Sequence, residues 1–203
     1  MNANHMTIGF IGLGLIGGSI AKTIRRIHPD SIIYGFDTDI DSLKMAKEDG
    51  TLTQYFETLD STFSSCDIIF LCAPVSNNIE YLKELKGIIS ESCLLTDVGS
   101  VKEPIQSAIK ELGMESNFIG GHPMVGSEKS GYAHANDHLL FPDTKRAHFI
   151  PAYNKVLLFY SGTRCTCRFF KTRRARLYHC SYQSCTTYCR SRTCSSCPPR
   201  RPQ

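Results

Sequence analysis

Three glycines near the start of the chain, Gly12, Gly14 and Gly17, follow a short apolar run and precede apolar residues at helical spacing. Gly12 permits a tight turn, Gly14 lets a ligand approach the backbone, and Gly17 lets the helix pack close to the strand. The unpaired N–H groups at the helix N-terminus attract phosphate. Asp37 ends the next apolar run, twenty residues after Gly17. A G-x-G-x-x-G motif in this context predicts a dinucleotide-binding site.

The chemistry of Asp37 favours NAD over NADP as the dinucleotide. Its carboxylate can accept hydrogen bonds from both ribose hydroxyls and would repel a 2′-phosphate. The next positions, Thr38 and Asp39, supply no arginine to neutralise such a phosphate. The alternative is a glycine-rich turn in another kind of α/β protein, with Asp37 as a helix N-cap. The other predicted cofactor contacts come from the glycine turn and from the end of a later strand: Leu15, Ile16, Cys72, Ala73 and Pro74.

His122 and Ser100 are the candidates for proton transfer. His122 follows an apolar run, and an imidazole, with a reference pKa of about 6.5, can accept a proton at neutral pH and return it. The alternative for His122 is a structural hydrogen bond in a turn. Ser100 is either the first residue of a capping box with Glu103 or a hydroxyl that reaches a substrate. Both residues follow predicted strands, where parallel sheets bind their ligands.

Continuous apolar runs alternate with helical patterns along residues 6–140, and they predict the elements that carry these residues. Such runs are typical of parallel strands that are buried on both faces. The predicted fold class is α/β, a doubly wound parallel sheet of the Rossmann type that is incomplete at its C-terminal side. The predicted strands are residues 8–11, 32–36, 67–72, 93–98 and 118–120, and helices are predicted after Gly14, over residues 40–49, after Ser76 and over residues 100–112.

The composition changes abruptly near residue 140. Residues 1–140 hold 10 Lys and Arg against 18 Asp and Glu, a net charge of −8, whereas residues 141–203 hold 13 against 1, a net charge of +12. Residues 141–203 also hold seven of the ten cysteines. The isolated Cys66, Cys72 and Cys93 are predicted to be core thiols, and we expect no metal site.

Three motifs closely resemble the prephenate dehydrogenases of tyrosine biosynthesis, and the resemblance covers about residues 6–140. The motifs are the glycine segment at 9–19, D-V-G-S-V-K at 97–102 and, most diagnostically, G-H-P-M-V-G-S-E-K-S-G at 121–131. The resemblance implies an NAD-dependent oxidative decarboxylation. Prephenate gives a hydride from its hydroxyl-bearing ring carbon, loses the ring carboxylate as CO₂, and becomes 4-hydroxyphenylpyruvate.

The resemblance also implies roles for individual residues. His122 would deprotonate the substrate hydroxyl with help from Ser100, and the substrate pocket would be lined by Ser127, Glu128 and Lys129. Two alternatives remain for the function: an arogenate dehydrogenase, which acts on a substrate with a different side chain, and a cofactor-binding remnant without turnover. The family is expected to form homodimers, but its helical dimerisation domain is not recognisable in this sequence and is predicted to be absent.

The expected location is the cytoplasm. No uninterrupted apolar run approaches eighteen residues, and the apolar N-terminal run has no basic leader, so the sequence favours neither a membrane partner nor a secretory signal. We expect prephenate as the small-molecule partner and no nucleic acid.

Residues 141–203 depart from the family pattern, and four interpretations compete for them. A zinc module would use their cysteines, but they contain a single C-x-x-C. A disulfide scaffold conflicts with a cytoplasmic body. A basic nucleic-acid arm explains the charge but not the cysteines. Translation out of frame after about residue 140 explains the charge, the cysteines and the lost resemblance together, and we favour it. The nucleotide sequence around codon 140, read in three frames, distinguishes them.

For the 203-residue chain, we expect little or no prephenate oxidation and no defined domain in residues 141–203. These residues carry a net charge of +12 and a single short apolar run, so little apolar burial opposes chain entropy and charge repulsion. The test measures turnover and amide exchange under reducing conditions, with and without zinc. Robust turnover would contradict the incomplete-enzyme interpretation, and zinc-dependent protection of the cysteines would contradict the out-of-frame interpretation.

Overall fold

The computed structural model describes residues 6–123 and 128–139, together with the backbone of four short strands between residues 149 and 166. These four strands form two antiparallel pairs: β7 (Phe149–Ala152) with β8 (Lys155–Leu158), and β9 (Ser161–Gly162) with β10 (Cys165–Thr166). The predicted absence of a domain in residues 141–203 concerns a region that lies mostly outside the described residues, and it stays a prediction.

Six parallel strands form one sheet: β1 (Thr7–Ile11), β2 (Ile32–Phe36), β3 (Gln54–Phe56), β4 (Ile68–Leu71), β5 (Leu94–Asp97) and β6 (Phe118–Gly120). Their order across the sheet is β3-β2-β1-β4-β5-β6. This order confirms the predicted doubly wound parallel sheet, because the strand order reverses between β1 and β4. The helices are α1 (Leu15–Ile27), α2 (Ile40–Glu48), α3 (Val75–Leu85) and α4 (Glu103–Glu111), with 3₁₀ turns at Ser61–Ser65 and Tyr132–His134.

The central strands are buried on both faces, which explains their continuous apolar runs. Phe10 and Phe70 point to one face, where their rings stack with centroids 5.0 Å apart. They belong to a cluster that includes apolar residues of α1 and α2. Ile11 and Leu71, the next residues along β1 and β4, belong to a second cluster with apolar residues of α3 and α4. The two helical layers therefore enclose the sheet. The carboxyl ends of its parallel strands all lie on one side, here called the carboxyl edge.

Two predicted helix starts differ from the structure. α4 begins at Glu103 after Lys102 and has no side-chain cap, so the capping box from Ser100 is wrong. α3 begins at Val75 after Pro74, so Ser76 lies in its first turn and does not precede the helix as predicted. In both cases the chain turns into the helix at a residue whose side chain makes no cap bond. Ser100 is left exposed beyond the end of β5.

Residues 131–137 form a return segment, which runs back across α1. Its Tyr132 and Ala135 lie against Gly18, where an added Cβ would come within 2.7 Å of either side chain. The amide of Asn136 donates to Ser19 Oγ at 3.1 Å, and Arg26 forms an ion pair with Asp137 at 2.5 Å. The segment that follows the G-H-P-M motif is thus fixed to the helix that follows the glycine motif.

Within the described part of the chain, no helix has the length and apolar character needed to cross a membrane.

Candidate functional site

The three glycines of the turn between β1 and α1 differ in the space around them. Gly12 has a φ of +91°, and a Cβ there would lie 2.4 Å from the backbone nitrogen of Ala73. A Cβ on Gly17 would lie 2.4 Å from the carbonyl oxygen of Gly12. Around Gly14, in contrast, a Cβ would meet no described atom within 4 Å. Gly12 and Gly17 are therefore needed to fold the turn, whereas Gly14 keeps a space open beside it.

The N-terminus of α1 faces this space with free donors. Gly14 is the N-cap, it makes no side-chain cap bond, and the first turn contains no acidic residue. A helix N-terminus of this kind carries a partial positive charge and N–H groups without intrahelical partners. The backbone at Leu15 and Ile16 belongs to this first turn. The arrangement suits a bound phosphate.

The Asp37 carboxylate is anchored to the glycine turn. Its Oδ2 accepts from the Leu13 amide at 2.5 Å, and its Oδ1 accepts from the Asp39 amide at 2.9 Å. Each carboxylate oxygen can accept a further hydrogen bond, so ribose hydroxyls can still be bound. The alternative in which Asp37 caps a helix is wrong, because Asp39 is the N-cap of α2 and accepts from Asp41 and Ser42.

Asp39 adds a second negative charge next to Asp37. A hydrogen bond from the Ser42 hydroxyl, at 2.7 Å, is the main cause that lowers the pKa of the Asp39 carboxyl. Asp39 is therefore ionised at neutral pH. A phosphate on the adenosine ribose would meet two carboxylates at this end of β2.

The segment after β4 is held against the glycine turn. The amides of Cys72 and Ala73 both donate to the Ile11 carbonyl, at 2.7 and 3.1 Å. The amide group of the buried Asn78 donates to the Ala73 carbonyl at 2.7 Å. Ala73 is thereby fixed within contact distance of Gly12, and the exposed Pro74 follows it at the start of α3.

The three cysteines between residues 6 and 139 lie in the interior of the fold. Cys66 and Cys93 are buried and Cys72 is partly buried. Burial raises the pKa of Cys66 to about 12, and burial, with a smaller contribution from Asp97, raises the pKa of Cys72. No group of three or more metal-ligating side chains occurs among the described residues.

Ser100 and His122 follow neighbouring strands at the carboxyl edge. β5 and β6 pair in parallel, with Asp97 opposite Gly120, so Ser100 and His122 leave the same edge three and two residues later. Ser100 is exposed and His122 is half-buried. Glu128 and Lys129 are exposed beyond His122, while Ser127 lies outside the described residues. The assignment of these five residues to a substrate site stays a prediction.

A buried ion pair beneath this edge was missed from the sequence. Lys102 donates to Asp97 Oδ2 at 2.5 Å and also to the carbonyl of Gly121. The side chains of Asp97 and Lys102 are only 1% and 9% exposed. An acid at the end of an apolar strand with a lysine five residues later was the available signal, but residue order alone does not show that the two side chains meet.

The described residues fit a bound NAD. The open space at Gly14 matches a pyrophosphate, the first turn of α1 offers donors for it, and Asp37 retains acceptor capacity for ribose hydroxyls. Ala73 and Pro74 border the same turn. These residues would hold the dinucleotide across the carboxyl edge of the sheet, between β1 and β4.

Comparisons with known proteins agree with this geometry. Residues 20–145 match the family described as prephenate dehydrogenase, nucleotide-binding domain. A prephenate dehydrogenase of Bacillus subtilis is 37% identical over 141 residues, which cover 68% of this chain and 38% of the relative. One of Lactococcus lactis is 39% identical over 132 residues, which cover 64% of this chain and 37% of the relative.

A solved structure shows the same arrangement. The crystal structure of the Aquifex aeolicus prephenate dehydrogenase in complex with hydroxyphenyl propionate and NAD⁺ superimposes with a TM-score of 0.64 at 32% identity. The match covers 69% of this chain and 49% of that one. The chain thus spans less than half the length of each of these relatives. Within that span, the chain belongs to the prephenate dehydrogenase family through its nucleotide-binding domain.

Proposed function

We propose that residues 6–140 form the NAD-binding half of an enzyme that oxidatively decarboxylates prephenate to 4-hydroxyphenylpyruvate. The observation that supports the proposal is the carboxyl edge of the sheet, which carries the glycine turn and the strand ends that precede Ser100 and His122. The names of the relatives and the ligands in the Aquifex aeolicus structure support it. In this proposal the enzyme is cytoplasmic, and the NAD-binding domain ends near residue 140, where the composition changes.

The reaction needs a proton acceptor and a hydride acceptor. When bound, NAD supplies the hydride acceptor. His122 accepts the proton of the substrate hydroxyl as that hydroxyl becomes a carbonyl. Ser100 donates a hydrogen bond that orients the substrate. The ring carboxylate then leaves as CO₂, and its bonding electrons pass through the ring to the carbonyl oxygen. That oxygen takes up a proton as the ring becomes a phenol.

Substrate charge sets the remaining requirement. Prephenate is a dianion, and each charge-assisted hydrogen bond to it contributes about 1.5–3 kcal/mol. Lys129, with Ser127 and Glu128 beside it, is proposed to border its pocket. Further basic groups and the homodimer contacts would belong to the part of the relatives that this chain does not span.

An arogenate dehydrogenase is the second candidate. The crystal structure of the Synechocystis arogenate dehydrogenase superimposes with a TM-score of 0.60 at 34% identity, covering 66% of this chain and 46% of that one. The two substrates differ in the side chain, which carries an amino group in arogenate and a keto group in prephenate. The third candidate is a cofactor-binding remnant that turns over neither substrate.

The test uses two proteins, the 203-residue chain and a chimaera that joins residues 1–139 to the remaining C-terminal part of the Bacillus subtilis relative. NADH formation is followed with prephenate and with arogenate. The proposal expects turnover of prephenate by the chimaera, dependent on His122. Turnover of arogenate alone would favour the second candidate. A folded chimaera that binds NAD but oxidises neither substrate would favour the remnant.

We expect the chain to bind NAD more tightly than NADP, and Asp37→Ala to narrow the difference. The reason is that Asp37 accepts from the ribose hydroxyls in NAD and faces a like charge in NADP. Asp39, which keeps its charge, should leave part of the preference in place. Calorimetry with both cofactors measures it on the 203-residue chain. Equal or tighter NADP binding by the parent chain would refute the assignment, and Asp41→Ala, at an exposed position on α2, is the matched control.

A further inference from the structure

We propose that the buried ion pair of Asp97 and Lys102 positions both residues assigned to proton transfer, Ser100 and His122. The inference rests on the proposed function, which gives the ion pair no part. It makes Asp97 and Lys102 positioning residues, since their contacts are with backbone and with each other.

One carboxylate connects two strand ends. Asp97 is the last residue of β5, and its Oδ2 accepts from the amide of Gly99 at 3.1 Å. Its Oδ1 accepts from the amide of Gly121 at 3.1 Å. Gly99 directly precedes Ser100, and Gly121 directly precedes His122. The two oxygens of Asp97 therefore hold the backbone immediately before each of the two side chains.

Lys102 completes the arrangement from the other side of Gly121. Its ammonium donates to the Gly121 carbonyl and to Asp97 Oδ2. Gly121 is thus bonded at its N–H by one member of the ion pair and at its carbonyl by the other. A Cβ on Gly121 would lie 2.7 Å from the Asp97 carbonyl oxygen, so the segment is also close-packed. Together these contacts fix the direction in which the chain leaves β6 toward His122.

The chemistry of the pair explains why a carboxylate and a lysine are needed. A carboxylate has two accepting oxygens and can bind two separate N–H groups, whereas an amide has one oxygen and an NH₂ group that would oppose the second N–H. A carboxylate that is 1% exposed must in turn be neutralised, and Lys102 does so at 2.5 Å. Water has little access to replace any of these bonds.

The test removes both charges at once. Lys102→Met alone would leave a buried carboxylate unpaired and is expected to unfold part of the population. The double variant Asp97→Asn with Lys102→Met keeps the site neutral and similar in volume. Its single amide oxygen can serve one glycine N–H and not the other. We therefore expect the Gly99 or the Gly121 amide to exchange at least about tenfold faster, measured by NMR on the 203-residue chain relative to the parent.

Leu95 provides the internal reference for this measurement. Its amide donates to the Asn117 carbonyl at 2.7 Å, a bond between the same two strand regions that involves neither member of the ion pair. The ratio of glycine exchange to Leu95 exchange separates a local loss of positioning from a general loss of stability. Lys110→Met, at an exposed lysine on α4, the helix that follows Lys102, is the matched control and should leave the ratio unchanged. Lys102→Arg keeps the charge and should retain most of the protection.

A second readout follows the imidazole itself. In histidine-labelled spectra, His122 should give one sharp set of ring signals in the parent chain and broadened or split signals in the double variant. His138, whose side chain is 65% exposed, should not change. Parental glycine ratios together with a single His122 set would overturn the proposal, as would an equal loss of protection at Leu95 and both glycines.

These readouts require no turnover. A parent chimaera that fails to oxidise prephenate would therefore overturn the proposed function while leaving the positioning result to be decided by the spectra. Conversely, unchanged spectra in the double variant would overturn the positioning role while the parent enzyme could still be active.

Discussion

His122→Asn is expected to lower kcat for prephenate by about 10²–10⁴-fold, the usual contribution of a positioned general base. Asparagine is close to histidine in size and keeps hydrogen-bonding atoms, but it cannot accept a proton at neutral pH. The NAD dissociation constant should stay within about twofold, because the cofactor contacts come from the glycine turn and Asp37 and not from β6. The measurement is NADH formation by the chimaera, with NAD binding measured separately.

Two further variants make this result specific. Ser100→Ala should cost less, about tenfold, because a serine hydroxyl that orients the substrate leaves the base in place. His138→Asn changes an exposed histidine beyond the return segment and should leave kcat unchanged. A His122 variant with the turnover of the parent would remove His122 from the mechanism. Its role would then be a structural hydrogen bond in the strand-end turn.

Gly14→Val is expected to weaken NAD binding by at least about 10²-fold while leaving the melting temperature unchanged. A Cβ at Gly14 meets no described atom within 4 Å, and the φ of −73° suits any residue, so the free protein should accept the larger side chain. With NAD present, the same side chain would occupy the space of the pyrophosphate. Losing two charge-assisted hydrogen bonds, at about 1.5–3 kcal/mol each, corresponds to at least about 10²-fold in affinity.

Gly12→Ala should produce the opposite pattern. Its Cβ would lie 2.4 Å from the Ala73 nitrogen, and its φ of +91° is strained for any L-residue with a side chain. We therefore expect a clear loss of melting temperature before any ligand is added. Calorimetry and thermal unfolding of the two variants side by side provide the test. Parental NAD affinity in Gly14→Val would place the pyrophosphate elsewhere.

The sequence was sufficient to predict the sheet because its strands are buried on both faces. The apolar runs that became β2 and β6 were predicted with the bounds that the structure has. β3 was missed because Gln54–Phe56 is three residues long at the sheet edge, with one exposed residue and no apolar run. Helix starts were less predictable, since a serine three positions before a glutamate resembles a cap whether or not the backbone turns there.

The candidate site likewise contains some residues whose roles the sequence predicts and others whose roles it does not. Residues that shape backbone, such as Gly12 and Gly17, are visible in sequence because only glycine fits their positions. The role of Asp97 depends on contacts with Gly121, which follows β6, and with Lys102, which precedes α4. No local pattern encodes such a meeting. The same limit applies to Asp37, whose bond to Leu13 was not anticipated.

The return segment also has a consequence for how the protein is made. Ser19 on α1 bonds to Asn136, 117 residues later, and Gly18 packs against Tyr132 and Ala135. At synthesis rates of about 5–20 residues per second, the ribosome reaches Asn136 roughly 6–23 s after Ser19, and until then α1 lacks its contacts with the return segment. During that interval the outer face of the nucleotide-binding helix is open to chaperones and proteases. A nascent chain stalled at residue 130 does not yet contain the return segment. It should therefore be cleaved within α1 faster than a chain stalled far enough beyond residue 139 for the return segment to have left the ribosomal exit tunnel.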